Sequence, residues 1–300
     1  MHSSTSPTSG SRLAESELIL NTDDGSIYHL KLLPEHLADD VIVVGDPGRV
    51  KSISDRFDSV DVRISNREFV THTGWLNGKR ITALATGIGT DNIDIVLNEL
   101  DALVNIDLES RRIKADHKSL NIVRIGTTGA LQGDFPVDSY LASRYGLGFD
   151  NVLHYYQYHP EAETAQLEQA LVDHLNMGDA ASRPYLVPCS NTLLQKVGAD
   201  MHQGITATAP GFYGPQGRTL RLPLRIEDLN ERLSSFENGN LKVTNFEMET
   251  SALYGLGHLL GHQCCTVCLV IANRIRNEYS KDYHPAMGRL IDTVLERLTQ

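Results

Sequence analysis

The stretch Ile122–Gln132, which reads I-V-R-I-G-T-T-G-A-L-Q, carries the clearest information about the fold. Its apolar start, interrupted by Arg124, runs into Gly126-Thr127-Thr128-Gly129, which predicts a buried strand that opens into a loop. Glycine N–H groups, two hydroxyls and a guanidinium at the end of a strand suit an oxyanion, most commonly phosphate. A structural ion pair of Arg124 beside an ordinary turn explains the stretch equally well, so other segments have to decide.

A second strand signal, Val41–Val44, ends in Gly45-Asp46-Pro47-Gly48-Arg49. This order of strand, glycine turn and helix places backbone N–H groups and Arg49 at the carboxyl edge of a sheet, where open α/β sheets bind ligands. The segment is neither a dinucleotide fingerprint nor a Walker A loop, because it lacks G-x-G-x-x-G and G-K-[ST]. A plain Asp-Pro-Gly turn is the simpler alternative.

Strand and helix patterns alternate along the rest of the chain. Period-two and β-branched patterns predict an edge strand at 26–32, a hairpin around Asn77-Gly78, and strands at 139–143, 205–209 and 264–272. Helical spacing predicts helices at 92–104, 161–176, 250–262 and 285–299. We therefore expect an α/β fold with a buried mixed or parallel sheet.

The domain organisation is simple. Residues 1–22 are rich in Ser and Thr, which predicts a flexible tail. No internal repeat or linker divides the remainder, so we expect one domain over residues 23–300.

Composition limits the partners and the location of the protein. A net charge of −11 argues against a nucleic acid polymer or an anionic membrane as partner. No apolar run reaches the length of about 18 residues that a membrane span needs, and the N-terminus does not resemble a secretory signal. The four cysteines do not suggest a disulfide framework. We expect a cytoplasmic protein.

A cluster of metal-binding residue types offers a different interpretation. His258 and His262 are four apart on a predicted helix and are followed by Cys264, Cys265 and Cys268, so a zinc site is conceivable. The stretch 264–272 is too uniformly apolar to expose its thiols, and buried free cysteine behaves as a small hydrophobe. We therefore predict core packing here and no metal site.

Several loop ends carry side chains that complement a nucleoside beside a phosphate. Arg49, Arg67 and Arg124 supply charge for a phosphate dianion. A carboxylate within Glu247–Glu249, at a predicted helix start, can accept two hydrogen bonds from the vicinal diol of a ribose.

The unusual loop 210–218 suits a base. Its aromatic residues can stack on a ring, and Gln216 offers one donor and one acceptor, which complement the imide of uracil. The neighbouring Arg218 would stabilise negative charge on that ring.

Together these motifs resemble the nucleoside phosphorylase family. They occur in the family's order over about residues 26–275, which makes the resemblance specific. The matching segments are Tyr28–Leu30, Gly45–Val50, Asn66–Phe69, Thr86–Gly89, Arg124–Ala130, Phe212–Arg218, Phe246–Glu249 and Val270–Arg274.

The resemblance implies a single-domain, three-layer α/β/α fold with a central mixed β-sheet. It implies reversible phosphorolysis of uridine to uracil and ribose 1-phosphate, with phosphate as co-substrate and no cofactor. The implied phosphate ligands are Gly45, Arg49, Arg67, Arg124 and Thr127. The implied ribose ligands are His29, Glu247, Met248 and Glu249, and the implied base ligands are Phe212, Gln216, Arg218 and Ile271. The catalytic residues would be Arg124, Arg218 and Gln216, and alanine at Arg124 or Arg218 should abolish most turnover with the fold intact.

The resemblance also implies an oligomer. His29 and Arg67 match residues that a neighbouring subunit contributes, so we expect at least a dimer, with a hexamer built as a trimer of dimers left open. Some relatives hold K⁺ or Na⁺ between subunits, and Glu68 and Ile88 match that site, whereas Asn92 stands where a serine would be. Segments 105–120 and 145–158 depart from the family and can alter the pocket mouth or the subunit contacts.

Three other functions stay open at this point. A purine nucleoside phosphorylase, or one of broader specificity, is the nearest alternative function. Related purine enzymes carry Asp where this chain has Asn273, which favours uracil as the base. A nucleosidase that uses water would leave the arginines without a substrate anion. A non-catalytic nucleoside-binding protein on the same fold is the third.

Overall fold

The computed structural model describes residues 8–178 and 182–300, which build around one large sheet. The strands are β1 (Asp40–Val44), β2 (Ser59–Asn66), β3 (Phe69–Leu76), β4 (Lys79–Ala85), β5 (Ile106–Asp107), β6 (Arg112–Ile113), β7 (Asn121–Ala130), β8 (Tyr140–Gly148), β9 (Tyr185–Pro188), β10 (His202–Thr208), β11 (Glu237–Asn238), β12 (Leu241–Glu247), β13 (Gln263–Asn273) and β14 (Glu278–Tyr279). The helices are α1 (Pro47–Ser54), α2 (Thr90–Asn105), α3 (Ala162–Leu175), α4 (Asn191–Val197), α5 (Leu229–Ser235), α6 (Thr250–Leu260) and α7 (His284–Thr299). None of these helices is long and apolar enough to cross a membrane.

The twelve-stranded sheet is mixed, as predicted. Its main path runs β11-β12-β10-β8-β13-β7-β1-β4-β3-β2. At its centre β4, β1, β7 and β13 are mutually parallel, whereas β2, β3 and β4 form an antiparallel meander. β12 also pairs antiparallel with the end of β7, through Asn245–Ala130 and Phe246–Gly129. This pairing brings the carboxyl ends of β7 and β12 together, where the predicted ligands lie.

Helices cover both faces of the sheet. On β1, Val41 and Val43 pack into the cluster that contains α2 and α6, while Ile42 and Val44 pack into the cluster that contains α1, α4 and α7. Both faces of this central parallel strand are therefore buried. For this reason its sequence is a continuous apolar run and does not alternate between apolar and polar residues. The predicted three-layer α/β/α fold is confirmed.

Residues 8–22 lie against the domain, although the sequence predicts a flexible tail there. Gly10 N–H donates to the Ile113 carbonyl, and Leu13 N–H donates to the Arg111 carbonyl of the β5–β6 hairpin. Leu18 is buried in the core. The leucines scattered among the polar residues of this segment supply the burial that holds it, and residues 1–7 lie outside the described residues.

The predicted edge strand at 26–32 does not form. Ile27 makes a single bridge to Leu20, and the chain then turns tightly through Lys31, whose φ is 55°. Leu30 and Leu32 are buried by this turn. Apolar residues at alternate positions can thus be buried by a turn as well as by a strand. A period-two pattern in the sequence does not distinguish the two structures.

Candidate active site

A cleft of about 480 Å³ opens at the carboxyl ends of β1, β7, β12 and β13. Eleven of the predicted site residues line it: Gly45, Arg49, Arg124, Thr127, Phe212, Gln216, Arg218, Glu247, Met248, Glu249 and Ile271. Its other lining residues include Asp46, Ile88, Phe246 and Tyr279. Segments 105–120 and 145–158 contribute no residue to the cleft as the described part of the chain forms it. Loops that are distant in the sequence therefore meet at one edge of the sheet.

One end of the cleft carries two neighbouring guanidinium groups. Arg49 follows the Asp46 cap of α1, whose side chain accepts a hydrogen bond from Gly48 N at 2.9 Å. Arg49 Nη1 donates to the Ile125 carbonyl oxygen at 3.2 Å. Burial lowers the pKa of Arg49; the Asp46 charge opposes this effect and the Arg124 charge adds to it. Within the described residues no carboxylate forms a salt bridge with Arg49, so its guanidinium, next to glycine N–H groups, is suited to bind an anion.

Arg124 is buried between two carboxylates. Its Nη2 pairs with Glu249 Oε2, and its Nη1 lies 3.4 Å from Glu247 Oε2. Burial favours loss of the charge, but Glu249 and Glu247 outweigh it and raise the pKa of Arg124. A Cβ on Gly126 would lie 2.1 Å from Arg124 Nη1, so only glycine leaves room for this side chain.

This burial revises the expectation that Arg124→Ala leaves the fold intact. The substitution would leave two buried carboxylates without their cation, which typically lowers the free energy of unfolding by about 3–5 kcal/mol. Loss of activity in that variant would therefore not separate chemistry from folding.

The two carboxylates have different partners. Glu247 caps the start of α6: Oε1 accepts from Thr208 Oγ1 at 2.6 Å, and Oε2 accepts from Glu249 N and Thr250 N, both at 2.9 Å. Burial raises the pKa of Glu247, and Arg124 opposes the rise. Glu249 Oε1 accepts a hydrogen bond from Gly89 N at 2.9 Å. Of the two, Glu249 keeps more acceptor capacity for a sugar diol, and the ribose roles of both stay predictions.

The other end of the cleft is built around the amide of Gln216. Its Oε1 accepts from Arg218 Nη1 at 2.6 Å and from Arg274 Nη2 at 3.1 Å. Its Nε2 has no hydrogen-bond partner in the described part of the chain and is free to donate. The Arg218 guanidinium carbon lies 3.9 Å from the centre of the Phe212 ring. Burial lowers the pKa of Arg218, and burial and the Arg218 charge lower the pKa of Arg274 to about 10.

The sequence did not predict a role for Arg274, and the structure shows what Asn273 contacts. The Asn273 side chain is 1% exposed; its Nδ2 donates to the carbonyls of Gln132 and Phe135, and its Oδ1 accepts from Arg276 N. A register shift in β13 at Ile271 interrupts the alternation of the strand. The Asn273 side chain therefore bonds to backbone groups, and Arg274 is the residue that contacts Gln216.

His29 and Arg67 do not line the cleft of their own chain. Arg67 Nη2 donates to Tyr28 Oη at 3.3 Å, and Asn66 Nδ2 donates to the His29 carbonyl at 2.8 Å. The His29 ring bonds to Glu99 Oε1 at 2.6 Å. These residues form one surface patch, so they can complete a cleft only if it belongs to a second copy.

The residues proposed for a monovalent cation are close in space. A Cβ on Gly87 would lie 2.5 Å from Asn92 Nδ2 and 3.4 Å from Glu68 Cγ, and Ile88 is the next residue. The bound cation stays a prediction.

The five residues of the conceivable zinc cluster do not converge. Cys264 packs into the cluster on one face of the sheet, and Cys265 into the cluster on the other. Burial raises the pKa of Cys268 to about 12. The His258 ring packs edge-on against Tyr158, with ring centres 6.1 Å apart. The thiols serve the core, as predicted.

Residues 39–297 match the family described as the Phosphorylase superfamily. This chain belongs to the phosphorylase superfamily. The phosphorylase is 31% identical over 266 residues to the uridine phosphorylase of Thermococcus kodakarensis, with 87% of this chain and 82% of the relative covered. It is 29% identical over 255 residues to the uridine phosphorylase of Escherichia coli, with 84% and 88% covered.

A solved structure gives the same relationship in three dimensions. The nucleoside phosphorylase of Trypanosoma brucei, whose structure is described as showing uridine phosphorylase activity, superposes on this phosphorylase with a TM-score of 0.84 at 31% identity. The alignment covers 94% of this chain and 99% of that one. The fold and the family assignment thus rest on almost the whole chain.

Proposed function

We propose that this phosphorylase acts on uridine, converting uridine and inorganic phosphate reversibly to uracil and ribose 1-phosphate. The observation that carries the proposal is a single cleft with paired arginines at one end and a Gln–Arg–Arg group at the other. Carboxylates lie between the two ends. This order matches a phosphate ion followed by the ribose and the base of one nucleoside.

Phosphate binds at the end formed by Arg49, Arg124, Thr127 and the backbone of Gly45. Held there, the dianion lies under C1′ of the ribose, and the encounter of two substrates becomes a positioned attack. As the glycosidic bond lengthens, positive charge grows on the sugar and faces the phosphate, while negative charge grows on the departing base. No protein nucleophile is required.

The base end stabilises the departing uracil anion. Two guanidinium groups donate to Gln216 Oε1, which polarises the amide and strengthens its free N–H donors. Because Gln216 lines the cleft, these donors can bond a uracil carbonyl. Because Arg218 and Arg274 are both cationic, they also lower the energy of negative charge on the ring.

The cleft favours uracil over a purine. A purine leaving group benefits from an acid at N7, and the carboxylates that line the described cleft are Asp46, Glu247 and Glu249. Asp46 caps α1, Glu247 caps α6 and Glu249 pairs with Arg124, so none of them accompanies Gln216 at the base end.

We further propose an obligatory oligomer, at least a dimer, in which His29 and Arg67 enter the partner's cleft. The surface position of these two residues supports this arrangement. The cation proposed at Glu68, Ile88 and Asn92 would then lie near the same contact. Pyrimidine salvage in the cytoplasm is the setting that we propose for the activity.

Turnover monitored by ultraviolet absorbance tests the proposal, with uridine, thymidine and inosine as substrates, each with and without phosphate. We expect phosphate-dependent cleavage of uridine that exceeds cleavage of inosine. Faster cleavage of inosine would indicate a purine enzyme, cleavage without phosphate a nucleosidase, and binding without turnover a non-catalytic protein. Arg218→Gln should abolish most of the activity, whereas the matched change Arg221→Gln in the same loop should retain it.

A further inference from the structure

A second polar cluster lies at the opposite end of the central strands. It consists of Asp101 near the end of α2, His117 in the segment before β7, and His262 in the turn between α6 and β13. These side chains place one ligand atom each within 4.8 Å of one another. The catalytic cleft uses none of them, so their meeting requires a separate explanation.

His262 is the unusual member of the cluster. Its side chain is fully buried, and its Nε2 has no hydrogen-bond partner within residues 8–178 and 182–300. That atom lies 3.3 Å from Asp101 Oδ1. Buried polar atoms are normally paired, so a ring nitrogen that lies beside a carboxylate without forming a hydrogen bond to it indicates a missing ligand.

His117 keeps one ring nitrogen available to a metal. Its Nε2 lies 2.8 Å from the Leu260 carbonyl oxygen, so this nitrogen carries the proton and Nδ1 keeps its lone pair. Histidines that bind metals usually donate their other ring N–H in this way. The ring rests against Gly261, where a Cβ would lie 2.8 Å from His117 Cε1 and where φ is 76°. Only glycine fits both the turn and the ring.

We propose that Asp101, His117 and His262 bind one Zn²⁺ ion per chain, with water as the fourth ligand. Two imidazoles and a carboxylate are a common zinc ligand set. Ligand bonds of about 2.0–2.1 Å in a tetrahedron put neighbouring ligand atoms roughly 3.3–3.4 Å apart. The ligand atoms of His262 and Asp101 already have this separation. The exposed His117 has to move by a small distance to bring its ligand atom equally close.

Binding exchanges one hydrogen bond for a metal bond. His262 Nδ1 accepts from Leu120 N at 3.2 Å, so in the free protein the ring proton is on Nε2. Coordination through Nε2 moves that proton to Nδ1, where it faces the Leu120 N–H; this hydrogen bond is lost, and the bond to zinc has to offset the cost. No net proton is released at His262, and the unpaired nitrogen gains a strong partner.

The ion would join three segments at the amino-terminal ends of the central strands. Gln263 N donates to the Leu120 carbonyl, and Ser119 Oγ donates to the Gly261 carbonyl, so the two turns already touch. β7, which carries Arg124, begins at Asn121. Zinc would therefore stabilise the start of the strand that reaches the catalytic cleft.

The test uses the full-length protein stripped with a chelator and then titrated with ZnCl₂, with bound metal measured by elemental analysis and calorimetry. We expect one equivalent per chain in the wild type and none of that equivalent in Asp101→Asn or His117→Ala. His258→Ala, which removes a histidine outside the cluster at the end of α6, should retain it. At free zinc about 100 times Kd, the wild-type Tm should rise by roughly 4 °C and that of Asp101→Asn should not.

Co²⁺ adds a spectroscopic measurement. Tetrahedral coordination should give strong visible absorption in the wild type that both Asp101→Asn and His117→Ala lose. The proposal is overturned if the wild type binds no more zinc than Asp101→Asn, or if His117→Ala retains the equivalent. Uridine turnover does not enter this test, so its result is independent of the proposed activity.

Discussion

Replacing Arg49 by glutamine tests whether the cationic end of the cleft binds phosphate. Within the described residues this side chain makes one hydrogen bond, from Nη1 to the Ile125 carbonyl at 3.2 Å. Burial and the neighbouring Arg124 both disfavour its charge. The fold therefore depends little on Arg49, and without phosphate the free energy of unfolding should fall by about 1 kcal/mol, the net contribution of one hydrogen bond.

The effect on phosphate should be large. A guanidinium that holds phosphate makes two charge-assisted hydrogen bonds, each worth about 1.5 kcal/mol. Their loss costs about 3 kcal/mol, and each 1.4 kcal/mol is about a tenfold change. We expect kcat/KM for phosphate to fall about 100-fold in Arg49→Gln, mainly through KM.

Initial rates of uridine phosphorolysis at varied phosphate measure this change, and thermal unfolding with and without phosphate measures binding separately. Lys51→Gln is the matched control, because Lys51 lies on the same helix and pairs with Asp55 at the surface. Its kinetics should be those of the wild type. The reasoning is refuted if Arg49→Gln keeps both the wild-type KM for phosphate and the phosphate-induced rise in Tm.

Three further predictions follow from the other parts of the site. Glu249→Gln should lower kcat/KM for uridine about tenfold more than for 2′-deoxyuridine if this carboxylate binds the diol; equal losses would contradict that role. Inactive Arg67→Gln and Arg218→Gln proteins, mixed and reassembled, should recover about a quarter of wild-type activity, because random pairing restores one of two clefts in half of the dimers; no recovery would exclude shared sites. Thr208→Val should destabilise the protein by about 2 kcal/mol in chemical denaturation, because a buried carboxylate loses its 2.6 Å hydrogen bond. The surface change Thr293→Val should have little effect, and equal stability of both variants would argue against the Thr208 contribution.

Much of the fold could be predicted because the signals are local. The apolar run at Val41–Val44 and the one at Cys264–Ala272 are long enough to be buried on both faces. Carboxyl ends of parallel strands meet at one edge, so loops after such strands were expected to share a site. The cleft-lining positions of Arg49, Arg124 and Gln216 agree with that expectation.

Other features depended on contacts between distant segments. The register shift at Ile271 decides that the Asn273 side chain bonds to backbone groups and that Arg274 contacts Gln216. A strand pattern gives no sign of one extra residue in a strand, because the partner strand defines the register. Similarly, Thr208 and the start of α6 decide that Glu247 acts as a helix cap.

The sequence by itself determined the alternation of strands and helices, the glycine turns at the strand ends and the charged residues that follow them. Hydrophobic burial and backbone geometry act over a few residues, so they can be read locally. Only the tertiary structure decided which of those charges are free to bind a ligand. Among the described residues it pairs Arg124 with Glu249, leaves Arg49 with a single carbonyl, and places His262 beside Asp101. Electrostatic pairing depends on distance in space, which the order of residues does not specify.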